Sequence, residues 1–203
     1  MSKVTIYFGQ NMQVSHINKE TIINRIFNFI FTKANAKPTW TEVYTSINLT
    51  ISSSDMDTLT VAIPPSSVSY TVEVPMGDSR LFTMFAYEGT VKKWGGHILA
   101  DLYESEQSIS LSVYPVVTNF NASSGSTEVD LSWWEVTGVS GYRVYRADNE
   151  YGPYQLIGTA TPSTTVWYYD FSGAAGVYYY YSVSAFTSSW EGERCDPKRQ
   201  RRM

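Results

Sequence analysis

Residues 130–147 read DLSWWEVTGVSGYRVYRA: two runs of β-type residues joined by a segment containing Gly138 and Gly141. Successive side chains on a strand point to opposite faces, so a two-residue period separates an inner set from an outer one. Val129, Leu131 and Trp133 share one face of the first run, and Trp134 falls on the other. On the second run Tyr142 and Val144 share a face, while Arg143 and Tyr145 share its opposite. Gly141 permits the turn between the runs, and the pair reads as two half-buried strands of one sandwich.

The same period runs through most of the chain. Val43, Thr45, Ile47, Leu49 and Ile51 alternate with Tyr44, Ser46, Asn48 and Thr50, and further strands are expected at 58–63, 68–74, 80–87, 95–103 and 107–114. Turn-forming residues separate them at Ser52 to Asp57, Pro64-Pro65, Met76-Gly77-Asp78, Lys92-Lys93 and Glu104 to Glu106. KVTIYF at 3–8 reads as a leading strand. Between Asn18 and Phe31 the spacing of Ile22, Ile23, Ile26, Phe27 and Ile30 predicts a short helix with Asn18 as its N-cap. Short strands punctuated this regularly indicate a sandwich, not a parallel α/β sheet. The fold class is therefore all-β: two tandem immunoglobulin-like β-sandwich domains with one short helix near the N-terminus.

Tyr114-Pro115-Val116 followed by the small polar stretch Asn121 to Thr127 marks a domain break. It predicts an N-terminal domain over 1–114, a second domain over 115–194 and a basic flexible tail over 195–203. The tail holds five of the 15 basic residues, if Arg194 is counted with it, and without these last ten positions the net charge falls from −4 to −8. A body so acidic repels phosphate backbones, which argues against nucleic acid as a partner.

Hydrophobic residues make up 43% of the 203-residue chain and charged ones 17%, enough burial to offset the entropy of ordering it. The 16 tyrosines and 6 tryptophans favour a pleated, half-buried surface. The single cysteine, Cys195, leaves no intramolecular disulfide, so packing alone must hold the cores. No stretch reaches the roughly 20 apolar residues of a membrane-spanning helix. The opening MSKVTIYFGQ lacks a secretory pattern, so export would require a leader upstream of this sequence.

Beyond the opening pair of strands come NEYGPYQLIG, TTVWYYD and VYYYYSVSAF. This succession over about residues 116–190 resembles a fibronectin type III domain, in its bacterial form. The resemblance implies that Trp133 is the core tryptophan and Tyr179 the corner tyrosine, with Tyr181, Val183 and Ala185 continuing the inward face. Trp134 and the ring-rich run Trp167-Tyr168-Tyr169 depart from the family pattern. The first domain, over about residues 40–114, is similar to a small sandwich of bacterial surface lipoproteins, through its turn of Val74, Pro75, Gly77, Arg80 and Phe82. That likeness implies an exported, cell-surface, outer-membrane-anchored or periplasmic protein, touching the membrane only through a lipid anchor outside this sequence.

Converging catalytic groups are scarce. The two histidines, His16 and His97, lie far from Cys195 in sequence, and neither Asp55 and Asp57 nor Asp148, Asn149 and Glu150 has the spacing of a calcium loop. No phosphate-binding glycine loop, zinc spacing or nucleophile elbow is present. The expectation is a protein that is not an enzyme and needs no cofactor or metal. The feature left to carry function is aromatic. If Tyr181 points inward, Tyr178 and Tyr180 point outward, and in the fibronectin arrangement they would lie beside Arg143 and Tyr145. Trp134, Arg143, Tyr145, Tyr178 and Tyr180 are the candidate binding face, since Tyr and Arg join apolar area to a polar tip. The expected function is a non-catalytic adhesion, interaction or spacer module meeting a protein or glycan at the cell surface. The alternatives are a carbohydrate-binding accessory module using exposed Trp and Tyr, and a phage virion component.

Overall fold

Strands account for all the regular structure of the computed structural model, which describes residues 2–8, 45–65, 67 and 69–203. The helix expected over 18–31 lies outside the described residues. The chain divides into two compact units, one of residues 1–90 with 95–113 and one of residues 91–94 with 114–203.

In the first unit, β1 (Ser2–Phe8) lies between β4 (Ser69–Val74), antiparallel to it, and β7 (Glu106–Leu111), parallel to it. A second sheet runs β3 (Met56–Ile63), β2 (Ser46–Ser53), β5 (Gly77–Glu88) and β6 (Val91–Leu102). The predicted alternation holds on β2, where Ile47, Leu49 and Ile51 are buried between half-exposed neighbours. They join Val4, Ile6, Val74, Phe82, Met84 and Leu111 in the core. One expected turn moves: Lys92 and Lys93 belong to β6, and the reversal sits at Gly89-Thr90. Gly89 has φ +60°, a conformation open to glycine without a Cβ penalty, and its N–H donates to Thr45 Oγ1 at 2.9 Å.

Arg80 explains the Val-Pro-x-Gly-x-x-Arg turn. Its guanidinium is 1% exposed and donates to the carbonyls of Pro75 (3.0 Å), Met76 (2.7 Å) and Asp78 (3.3 Å). The rest of the fork grips both carboxylate oxygens of Asp55 at the β2–β3 hairpin. That hydrogen bond, with a second from Ser53, holds the Asp55 carboxyl down at about 2.

The second unit is a sandwich of three strands on four. One sheet is β13 (Thr165–Asp170), β10 (Val129–Trp134) and β9 (Asn121–Ser124). The other is β12 (Gln155–Ala160), β11 (Gly141–Ala147), β14 (Tyr179–Phe186) and β15 (Lys198–Gln200). A short β8 (Tyr114–Pro115) lies beside β6, and Val116 N–H donates to Lys93 O at 2.9 Å. Trp133 is fully buried and meets Tyr142 of the facing sheet edge-on, with ring centroids 5.4 Å apart and planes at 70°. Leu131, Val144, Val166, Tyr181, Val183 and Ala185 complete this core. Burying a large aromatic ring is among the strongest single contributions a small core can have.

The segment 195–203 is not a solvated tail. Cys195 is buried, its N–H donates to Val183 O (2.9 Å), and Ser182 Oγ donates to its carbonyl (2.6 Å). Burial pushes the thiol up to about 11. Lys198, Arg199 and Gln200 then pair with Tyr181, Tyr180 and Tyr179. Gln200 and Ser124 hydrogen-bond at 2.9 Å, so side chains lace β15 to β9. The run KRQRR looks unfolded in sequence because an edge strand tolerates charges on its outer face, where they block pairing with other chains.

Candidate functional site

The structure divides the five residues of the expected binding face among three places. β11 and β14 are neighbours, as expected, but antiparallel pairing sets the start of one against the end of the other. Arg143 therefore faces Ser184, Tyr145 faces Ser182, and Tyr180 faces Ala147, which makes Tyr180 a diagonal neighbour of Tyr145 but leaves Arg143 beside neither Tyr180 nor Tyr178, the latter lying before β14 begins. The chain after β14 covers that part of the sheet. Glu191 accepts hydrogen bonds from Arg143, Tyr145 and Ser184. Arg194 lies over the rings of Tyr145 at 5.3 Å and Tyr154 at 4.5 Å. Burial by itself would raise the Glu191 carboxyl, but the three donors outweigh it and hold it below the usual carboxylate range. Arg143 and Tyr145 thus hold the protein's own strand crossing.

Tyr178 and Tyr180 instead meet β15. Tyr180 is directly opposite Arg199, and the guanidinium carbons of Arg199 and Arg201 lie 3.9 and 4.8 Å from the centroid of the Tyr178 ring.

Trp134 lies on the other sheet, within a larger set of rings. On β13 the inward positions are Val166, Tyr168 and Asp170, which turns Trp167 and Tyr169 outward with Phe171 just beyond the strand. Across the pairing, Trp134 faces Thr165, Ser132 faces Trp167 and Asp130 faces Tyr169. Trp134 is thus a diagonal neighbour of Trp167 on one face, within reach of large side chains. Trp134, Trp167, Tyr169 and Phe171 are 62%, 54%, 49% and 60% exposed. Trp167 and Tyr169 are near parallel, at 11° and 6.5 Å between centroids, and Phe171 continues the row 6.4 Å from Tyr169. Contiguous apolar exposure of this kind is uncommon on the surface of monomeric globular proteins. Ser132 and Asp130 lie between these rings on β10, and Asp130 Oδ1 is buried there without a hydrogen-bond partner. Tyr169 and Phe171 were missed in sequence, although the two-residue period starting from Trp167 points to both.

The face is held from below by a buried carboxylate. Asp170 accepts from Ser172 N–H (2.9 Å), Ser172 Oγ (2.6 Å), Arg146 Nη1 (2.8 Å) and the Tyr181 hydroxyl (2.9 Å). Burial would raise its carboxyl, but these bonds together lower it below its ordinary value. The Arg146 guanidinium also caps the Tyr179 ring at 4.5 Å. Tyr179 accepts a hydrogen bond at its hydroxyl from Ala174 N–H, 3.3 Å away and five residues upstream, the corner arrangement expected of it. Its ring is half-buried, not buried. Among the described residues, no three His, Cys, Asp or Glu side chains gather where they could hold a metal ion.

Two antiparallel sheets of three and four strands, a core tryptophan against the opposite sheet and a corner tyrosine define the second unit as an immunoglobulin-like sandwich. Within that class it is a fibronectin type III-like domain. Among curated proteins the chain is similar to an amylopullulanase of Thermoanaerobacterium saccharolyticum, 36% identical over 81 residues, which are 40% of this chain and 6% of that protein. The chain therefore spans a small fraction of the length of the curated relative it matches. Among solved structures it is similar to a Fn3-like protein from Clostridium thermocellum, 30% identical, with 43% of this chain and 91% of that one covered and a TM-score of 0.38. It is also similar to a DUF3823 family protein from Parabacteroides merdae, 13% identical over 98% of both chains, with a TM-score of 0.36. No family model matches the chain.

Proposed function

We propose that the chain is a non-catalytic module of an exported bacterial protein that handles polysaccharide, and that its second unit adheres to glucan through the β10–β13 face. The observation that carries this reading is the row of exposed rings, Trp167, Tyr169 and Phe171 with Trp134 beside it. Pyranose rings present patches of C–H groups that stack on aromatic faces, and their hydroxyls need polar neighbours such as the half-exposed Ser132. The 81-residue likeness to part of an amylopullulanase supports the choice of glucan. Neither stacking nor hydrogen bonding at such a face requires a catalytic group. The adhesion expected from the sequence is this contact in chemical terms, and export and lipid anchoring belong to the same reading.

Titration of the full chain with pullulan and amylose, followed by tryptophan emission, tests it. Binding should perturb emission, and Trp134→Ala and Trp167→Ala should each weaken it by about tenfold, the loss of a stacking contact of roughly 1–1.5 kcal/mol. An emission spectrum indifferent to both glucans would leave a spacer and remove the adhesive role.

A further inference from the structure

We infer that the outer edge of β13 pairs with β13 of a second copy of the chain, joining two β13–β10–β9 sheets into one six-stranded sheet. β13 is the last strand of its sheet, and among the described residues it pairs only with β10. One side of its backbone therefore presents N–H and C=O groups to no neighbouring strand, which makes it a template for a further one. The other outer strands of this unit are guarded. On β9, Gln200 Nε2 donates to Ala122 O at 3.3 Å and Ser124 Oγ donates to Arg201 O at 2.6 Å, so the end of the chain occupies that edge. β15 carries Lys198 and Arg199, both exposed. β12 breaks register against β11 at Val144/Tyr145, and its Ile157 carbonyl already accepts the Tyr168 hydroxyl at 2.7 Å. Covering segments, charges and breaks in register are the devices that keep edges from pairing. β13, reading TVWYYD, has none of them. Its register with β10 is regular, it holds no lysine, arginine or proline, and its one charge, Asp170, is buried and bound to Arg146.

Charge and symmetry make a copy of this chain the partner. With a net charge of −4, two copies repel wherever their acidic surfaces meet. Between Glu150 and Glu191 the only charged residue is the paired Asp170, so β12, β13 and the loop joining them contribute no uncompensated charge. A strand antiparallel to its own copy makes an isologous two-fold contact, which uses both free edges and closes at a dimer. Residues opposite one another on paired strands point to the same face, so outward residues must meet outward ones. A two-fold axis at Tyr168 satisfies this. It sets Trp167 opposite Tyr169 of the copy, and Tyr169 opposite Trp167 of the copy, giving two aromatic cross-strand pairs. The exposed rings of both chains then share one side of the joined sheet.

Sedimentation equilibrium of the full chain without any glucan is the test, so its outcome is independent of the proposed glucan contact. A reversible monomer–dimer equilibrium is expected, unchanged or tightened by added salt, because the contact holds no ion pair between the chains and salt screens the repulsion of the acidic bodies. Trp167→Lys sets two ammonium groups beside the axis and should weaken the dimer at least tenfold, since each substitution counts twice in a two-fold contact. Trp134→Lys, on the same face but one strand in from the edge, should leave dimerisation within about threefold of the parent. If Trp134→Lys abolishes the dimer as fully as Trp167→Lys, the copies stack face to face and edge pairing is refuted. A chain monomeric up to about 1 mM, or one that assembles beyond a dimer, also overturns the inference. Should Trp167→Lys fail to fold, hydrogen exchange of the unmodified chain decides. Amides of Thr165–Asp170 must gain protection as concentration rises, and gains confined to other strands refute the site.

Discussion

Asp170→Ala is the substitution whose effect the structure defines best. The carboxylate is 2% exposed and accepts four hydrogen bonds, two from Ser172, one from Arg146 and one from Tyr181. Its removal leaves the Tyr181 hydroxyl without an acceptor in a fully buried setting and Arg146 without its counter-ion. Breaking a buried pair from one side costs about 3–5 kcal/mol, because the remaining partner stays desolvated and uncompensated. Tyr181→Phe is milder, at about 1–1.5 kcal/mol, since Asp170 keeps three donors. Urea unfolding followed by tryptophan emission reports on the unit through Trp133. With a slope of about 1.5 kcal/mol/M, Asp170→Ala should lower the midpoint by roughly 2–3 M and Tyr181→Phe by about 1 M or less. The double variant should cost less than the sum, because the two groups share one bond. A midpoint for Asp170→Ala within about 0.3 M of the parent would refute the assignment of this network as the anchor of β13.

In the first unit, Arg80→Met should lower the thermal midpoint and return Asp55 from about 2 toward ordinary carboxylate values in an NMR titration. Arg80→Lys keeps the charge but loses the fork, so it should recover only part of the stability. Stability of the second unit should fall in acid. Asp170 and Glu191 both titrate lower when folded than when unfolded, so their contribution is complete above the unfolded carboxylate range near pH 4. It is lost as pH falls through the folded values, and Asp170→Asn should flatten that dependence in urea midpoints. Tyr181 has the opposite sign: burial raises its hydroxyl, so its contribution is complete below about pH 10 and is lost as pH rises further.

Much of the fold was legible because alternation along a strand is a local property. Leu131 and Trp133 are buried and Trp134 exposed, and Ile47, Leu49 and Ile51 line a core, as the two-residue period requires. The displaced turn at Gly89 is local too, but the lysines next to it carried the more obvious polar signal. The five residues of the candidate face do not form one cluster: Trp134 lies on the other sheet, and Glu191 engages Arg143 and Tyr145. Tyr178 does meet arginines, Arg199 of β15 and Arg201 just beyond it, but not Arg143.

What the sequence determined by itself was which side of each strand faces inward, since the pleat turns every second side chain the same way whatever lies beside it. It thereby set Trp133 in the core and Trp134, Trp167, Tyr169 and Phe171 outside. Only the tertiary structure decided who stands next to whom. Pairing register put Ser184 opposite Arg143, the return of the chain set Glu191 over it, and the docking of β15 turned a run of charged residues into a strand beside Tyr180. Those outcomes depend on hydrogen bonds between residues far apart in the chain, and no local period encodes them.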